Sequence, residues 1–314
     1  MEQNLEIEFT NLGKKNTMKI IAVSDIHIPK NNARLPQMVD AINKSDADVL
    51  ILGGDIAPAN DVALEQFLSS ISNFRGLKMY VSGNHDLWIA DKNSTETSLN
   101  RLQNVLPAIY EKYGFYSLEK QPLLYKDIGF AGNIGWFDYT FVRTYSPPFG
   151  TKFIRLDDNL QDTKQVVSWA QMTQADWKRG YVKIKTLFNI EQTGTNDIDY
   201  IKGFPDDVIF CDQMKEKLED DIASIEGNAR KIVAVFHCVP FKEGLIRKNA
   251  TAVACVRNAW AGSKYLGEVL YRHPKVCLAL WGHIHERQEL VKGRIKCVNM
   301  SFSPEGVNPY TIEI

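Results

Sequence analysis

Long apolar runs are missing from this chain. No stretch of 18 consecutive apolar residues occurs, which argues against a helical membrane span. Paired cysteines are missing too: the five, at 211, 238, 255, 277 and 297, are odd in number and widely spaced, with no CxxC. That argues against a disulfide framework or a thiolate metal site and reads as reduced, mostly core cysteine in a cytoplasmic protein. Excess charge of one sign is also missing, since 37 basic against 38 acidic side chains leave a net charge of −1. Without a broad basic tract, neither a nucleic-acid footprint nor a polybasic membrane anchor is indicated. No apolar stretch before Met18 resembles the core of a signal peptide. Residues 1–17 read as an N-terminal extension, either a short strand or a polar tail.

What is present is an ordinary globular composition, 44% hydrophobic and 24% charged over 314 residues. That suffices for a single domain over 18–314. Apolar strands at 18–24, 47–55, 77–83 and 128–136 alternate with helical patterns at 35–44, 61–72 and 98–112. Near-continuous apolar strands alternating with helices predict an α/β fold with a mostly parallel sheet. From 138 to 207 the chain turns polar and aromatic and reads as an insertion or lid, with a helix opening at Asp157–Asp158 and an exposed loop over 191–207. Met214, Leu218, Ile222 and Ile225 then mark a helix with one buried stripe. Strands follow at 231–237 and 275–283, and 294–301 and 310–314 can close a sheet.

Five segments share one design, an apolar run that ends in Asp, His or Asn. They carry Asp25 and His27, Asp55, Asn84 with His85 and Asp86, His237, and His283 with His285. Each alone has a structural reading as a turn former, a helix cap or a core histidine. Together they hold five of the six histidines, leaving only His273 outside. In open α/β sheets, sites lie beyond the carboxyl ends of strands, so these segments are placed to converge. Imidazole with carboxylate suits divalent zinc, manganese or iron. Four histidines, two aspartates and an asparagine exceed one coordination shell, and two ions roughly 3.5–4 Å apart need a bridging carboxylate. Asp55 is the natural bridge, because Gly53 and Gly54 allow close backbone approach.

The ordered set D-x-H, G-D, G-N-H-D, H, G-H-x-H resembles the calcineurin-like metallophosphoesterase family from Met18 to about Ser303. The resemblance implies a four-layer α/β/β/α sandwich around two divalent metal ions, manganese or iron first and zinc as an alternative. It implies Asp25, His27 and His285 on one ion, Asn84, His237 and His283 on the other, and Asp55 between them. It also implies that His85 faces the substrate, with Asp86 orienting His85 through a hydrogen bond. The implied reaction is hydrolysis of a phosphoester by a hydroxide activated at the dinuclear centre. Neither Ser24 nor Cys238 is then needed as a nucleophile.

Neutral charge and the insertion favour a small-molecule phosphodiester or phosphomonoester. A phosphoprotein phosphatase is the alternative, although Asp86 stands where such enzymes of the superfamily have glutamate. A nuclease or a catalytically silent metal-binding scaffold are the others. Lys242, Arg247, Lys248 and Arg257 form a basic loop, and Trp88, Trp136, Phe137, Tyr139, Phe141 and Phe241 lie near the motifs in sequence. Either group suits substrate contact or plain packing. Aromatics over 136–153 suit either packing on another subunit or capping the site.

Overall fold

The computed structural model describes residues 17–28, 34–91, 93–186, 189–245, 251–302 and 309–314. All of the expected N-terminal extension except Thr17, together with Arg247 and Lys248, lies outside the described residues. The chain runs through β1 (Lys19–Val23), α1 (Leu35–Asn43), β2 (Val49–Leu52), α2 (Asp61–Ser70) and β3 (Leu77–Tyr80). Then come α3 (Ser98–Asn100), a π-helical turn over Arg101–Val105, α4 (Leu106–Lys112), β4 (Phe115–Ser117), β5 (Leu123–Tyr125) and β6 (Ile128–Asn133). The segment that follows supplies β7 (Lys152–Leu156), β8 (Asp162–Ser168), α5 (Gln174–Lys178), β9 (Tyr181–Lys185), β10 (Ile190–Gly194) and α6 (Asp197–Tyr200). After it follow α7 (Asp207–Glu226), β11 (Lys231–Phe236), α8 (Ala252–Arg257), α9 (Lys264–Arg272) and β12 (Val276–Trp281). The last strands are β13 (Gln288–Lys292), β14 (Ile295–Asn299) and β15 (Tyr310–Glu313).

Two sheets form the core. One has the order β15-β1-β2-β3-β4 and the other β13-β14-β12-β11-β6-β5, with antiparallel pairing only at β15, β13 and β5. The period-two alternation of strand side chains sorts the apolar residues into layers. Ala22, Ile51 and Met79 of the first sheet meet Phe130, Val235 and Leu280 of the second in one buried cluster. Their neighbours Val23, Leu50 and Leu52 turn the other way, onto Met38 and Ile42 of α1 and Leu64 and Phe67 of α2. On the far side Phe236 and Ala279 meet Leu218 and Ile222 of α7 and Leu266 and Val269 of α9. The result is the four-layer α/β/β/α sandwich. Capping fixes where its helices begin: Asn60 accepts the Ala63 N–H at the start of α2, and Ser263 accepts the Tyr265 N–H at the start of α9.

Strands β7 to β10 form a separate antiparallel sheet in the order β10-β9-β7-β8. Two expectations are corrected there. No helix opens at Asp157–Asp158; Asp157 Oδ1 accepts the N–H groups of Asn159 and Gln161, both at 2.9 Å, and closes the turn between β7 and β8. A short acidic side chain satisfying its own turn outcompetes the helix. Nor is 191–207 a plain exposed loop, since it contains the end of β10 and α6, and Asp197 is buried. Trp136, Phe137, Tyr139 and Phe141 are likewise buried, leaving Phe149 as the large exposed aromatic of 136–153. Among the described residues no helix is long and apolar enough to cross a membrane.

Leu280 is fully buried between the two sheets. Leu280→Ala is expected to cost about 3 kcal/mol of stability through lost burial and a residual cavity. The check is a lower urea midpoint at unchanged slope.

Candidate metal centre

The site is built at the carboxyl ends of strands from both sheets. β1 delivers Asp25 and His27, β2 delivers Asp55, and β3 runs into Asn84 and a single 3₁₀ turn over His85–Leu87. From the second sheet, β11 delivers His237 and β12 delivers His283 and His285. Backbone hydrogen bonds tie the ends together: Asp25 N–H to Gly54 O, His27 N–H to Asp55 O, and Gly282 N–H to His237 O, each 3.0 Å. Gly54 has φ +87°, and a Cβ there would lie 2.3 Å from the Gly83 nitrogen. Only glycine lets the β2 and β3 ends approach this closely. Asp25, His27, Asp55, His283 and His285 all have φ between 51° and 72°, a region disfavoured for residues with a Cβ.

Three groups have ligand atoms within 4.8 Å of one another: Asp25, His27 and His285; His27, Asp55 and His85; and Asp25, Asp55 and His237. Asp55 Oδ2 lies 3.6 Å from His27 Nε2, 3.4 Å from His237 Nε2 and 3.9 Å from His85 Nε2. It therefore occupies the middle. His285 Nε2 stands 3.1 Å from His27 Nε2 and 3.4 Å from Asp25 Oδ1. Asp25 is held by the hydroxyls of Ser24 and Ser301 and by the His283 N–H.

On the other side, Asn84 Oδ1 lies 3.0 Å from both His237 Nε2 and His283 Nδ1, which are 3.2 Å apart. Each of the three has its donor aimed elsewhere. His237 Nδ1 is 2.8 Å from the Gly53 carbonyl oxygen, His283 Nε2 is 2.9 Å from the Trp260 carbonyl oxygen, and Asn84 Nδ2 donates to Asp197 Oδ1 at 2.9 Å. With those N–H groups spent on oxygen acceptors, the facing nitrogens and oxygen present lone pairs to one another. That arrangement calls for a cation and fits a divalent ion of the borderline type.

The electrostatics agree. Burial opposes charge on His237, yet Asp55 and Asp25 outweigh it and raise its pKa to about 10. Burial lowers His27 and His283 to about 4, so these two are neutral donors at ordinary pH. Burial would raise the carboxyl pKa of Asp55, but His237 and His85 pull it well below the usual range.

His85 sits at the outer side. Its backbone N–H donates to Asp55 Oδ1 at 2.9 Å and its ring stacks on Trp88 with centroids 3.7 Å apart. The expected hydrogen bond from Asp86 to His85 is absent. Asp86 Oδ2 accepts the N–H groups of Asp55 and Gly83 at 2.8 and 2.9 Å, and Oδ1 that of Ile56 at 3.2 Å. Burial, then repulsion from Asp55, raises the Asp86 pKa to about 6. The 3₁₀ turn points this carboxylate inward, where it staples the β2 loop to the β3 loop. Buried Arg101 backs the same turn, its Nε donating to the Asp86 carbonyl oxygen while Nη2 pairs with Asp61 at 2.6 Å.

Sequence reasoning missed Asp197. At the start of α6 it accepts from the Asn84 amide at 2.9 Å and from Trp88 Nε1 at 2.7 Å, while Thr195 holds its other oxygen. Tyr200 of α6 stacks on Trp88. Of the basic loop, Arg257 donates to the Thr193 hydroxyl of β10 rather than reaching the cluster. Cys238 is fully buried, and His273 lies apart, paired with Glu226.

The model of the calcineurin-like phosphoesterase family matches residues 18–287. No curated protein matches significantly. Among solved structures the chain is similar to phosphopantetheinyl hydrolase (PptH) from Mycobacterium tuberculosis, at 15% identity over 91% of this chain and 89% of that one, with a TM-score of 0.59. It is also similar to the protein TT1561 of Thermus thermophilus, at 12% identity over 91% and 89%, with a TM-score of 0.50. At such identities the likeness speaks for the fold alone. The family match spans every strand end that carries the cluster, and on that ground the chain belongs to the calcineurin-like phosphoesterase family.

Proposed function

We propose that this chain hydrolyses a small-molecule phosphoester, diester or monoester, with two divalent ions, manganese or iron first. In this reading Asp25, His27 and His285 hold one ion, Asn84, His237 and His283 hold the other, and Asp55 lies between. The observation that carries it is the convergence of Asn84 Oδ1, His237 Nε2 and His283 Nδ1 within 3.2 Å, with their donors directed to Asp197, Gly53 and Trp260.

When bound, two such ions supply Lewis-acid charge to phosphoryl oxygens and make water a better nucleophile. The chain's own residues do the rest. The Asp86 carboxylate locks the β2 and β3 loops, so Asp55 and His85 keep their spacing. Trp88 presents a flat wall that fixes the His85 ring. His85 meets the phosphoryl group from the open side and gives its proton to the departing oxygen. The oxygen of water bonds to phosphorus as the bond to the alcohol oxygen breaks, and the proton that water loses replaces the one His85 gave, so no covalent enzyme intermediate forms.

Bis-p-nitrophenyl phosphate and p-nitrophenyl phosphate, assayed with added manganese, are expected to distinguish a phosphodiesterase from a phosphomonoesterase. Chelation should abolish turnover and manganese restore it. His85→Ala should lower kcat by about 10²–10⁴-fold while leaving bound metal unchanged. A protein that binds no metal even when manganese is supplied would sink this reading.

Asp197→Ala removes the acceptor that turns the Asn84 oxygen toward the two imidazoles. In a calorimetric manganese titration of chelator-treated protein, one site should weaken by about 10–100-fold and the other stay unchanged. Equal weakening of both sites would count against the assignment of Asn84.

A further inference from the structure

Beside the cluster, on the side of Asn84 and His283, lies a cavity of about 270 Å³. Many waters or one small organic group would fill it. Trp136, Phe137 and Tyr139 line it from the segment after β6, Phe204 from the end of the insertion, and Trp260 from the turn before α9. Asp197 and Trp260 belong to both places. They line the cavity, and they also accept the hydrogen bonds of Asn84 and His283. A group seated there is separated from the cluster by one layer of side chains.

The charge of the cavity is one-sided. It is lined by Asp197, Asp206 and Asp207 against Lys178, which is spent on Asp206 at 2.5 Å. Asp207 accepts from Trp136 Nε1 at 2.8 Å and from the Tyr139 hydroxyl, both neutral donors. The donors to Asp197 are neutral as well: Asn84, Trp88 and Thr195. Among the described residues neither carboxylate has a lysine or arginine at ion-pair distance. Burial raises the Asp207 pKa against the pull of its two hydrogen bonds. Carboxylates with no cation are costly to bury. Aromatic rings beside carboxylates make surroundings that attract an organic cation, while an anionic group is repelled.

We infer that this cavity binds a small organic ammonium ion as a ligand distinct from the phosphoester, because Asp197 and Trp260 stand between it and the cluster. The cation binding does not rest on the phosphoester hydrolysis proposed above.

The test titrates the full chain with choline chloride and with its uncharged isostere 3,3-dimethylbutan-1-ol, following the fluorescence of the cavity tryptophans. Choline is expected to bind at least about tenfold more tightly. Ile198 lines the cavity and is 48% exposed, so Ile198→Lys adds a competing charge without disturbing the core. It should weaken choline about tenfold or more. Lys178→Gln should act in the opposite sense and strengthen it. Equal affinity for the two probes, no binding of either, or choline binding unmoved by both substitutions would overturn the assignment.

Discussion

Lone pairs that face one another across about 3 Å repel unless positive charge lies between them. Much of this molecule is arranged to hold that unfavourable geometry. The carbonyl groups of Gly53 and Trp260 take the imidazole N–H groups, and the Asp197 carboxylate takes the amide N–H, so the acceptors have no other way to turn. The raised pKa of His237 expresses the same demand: a proton is one way to supply the charge, and a divalent ion is the other.

Such a site cannot be stable by itself. Five of its residues stand in the left-handed backbone region, at about 1–3 kcal/mol each. What offsets the strain is the sandwich beneath it. The buried cluster between the sheets holds two sets of strand ends at one level, and the Asp86 carboxylate ties adjacent loops with three backbone hydrogen bonds. Arg101, on a π-helical turn, braces that tie from behind. Local strain is thus balanced by nonlocal packing.

This division explains what the sequence disclosed. The strands were legible because their apolar runs are nearly unbroken, and the site because each run stops in a polar residue. The helix expected at Asp157–Asp158 failed because side-chain turn chemistry, which pattern counting ignores, won locally. The partner of Asp86 was misjudged because a 3₁₀ turn rotates adjacent side chains away from each other. Asp197 was not legible at all. It lies 113 residues from Asn84, within a polar segment whose local composition is that of a loop. The ordered motif conveyed the two-sheet architecture by resemblance, whereas periodicity alone specified only helices covering a mostly parallel sheet.

The two sheets also divide the site along the chain. Asp25, His27, Asp55, Asn84 and His85 precede the β7–β10 sheet, whereas His237, His283 and His285 follow it. During synthesis the first five emerge long before the last three, and the first sheet is complete only when β15 has joined β1. On the proposed assignment, the nascent chain holds only partial ligand sets. The cluster is therefore a property of the finished fold, since no continuous stretch of chain can assemble it before both sheets have formed.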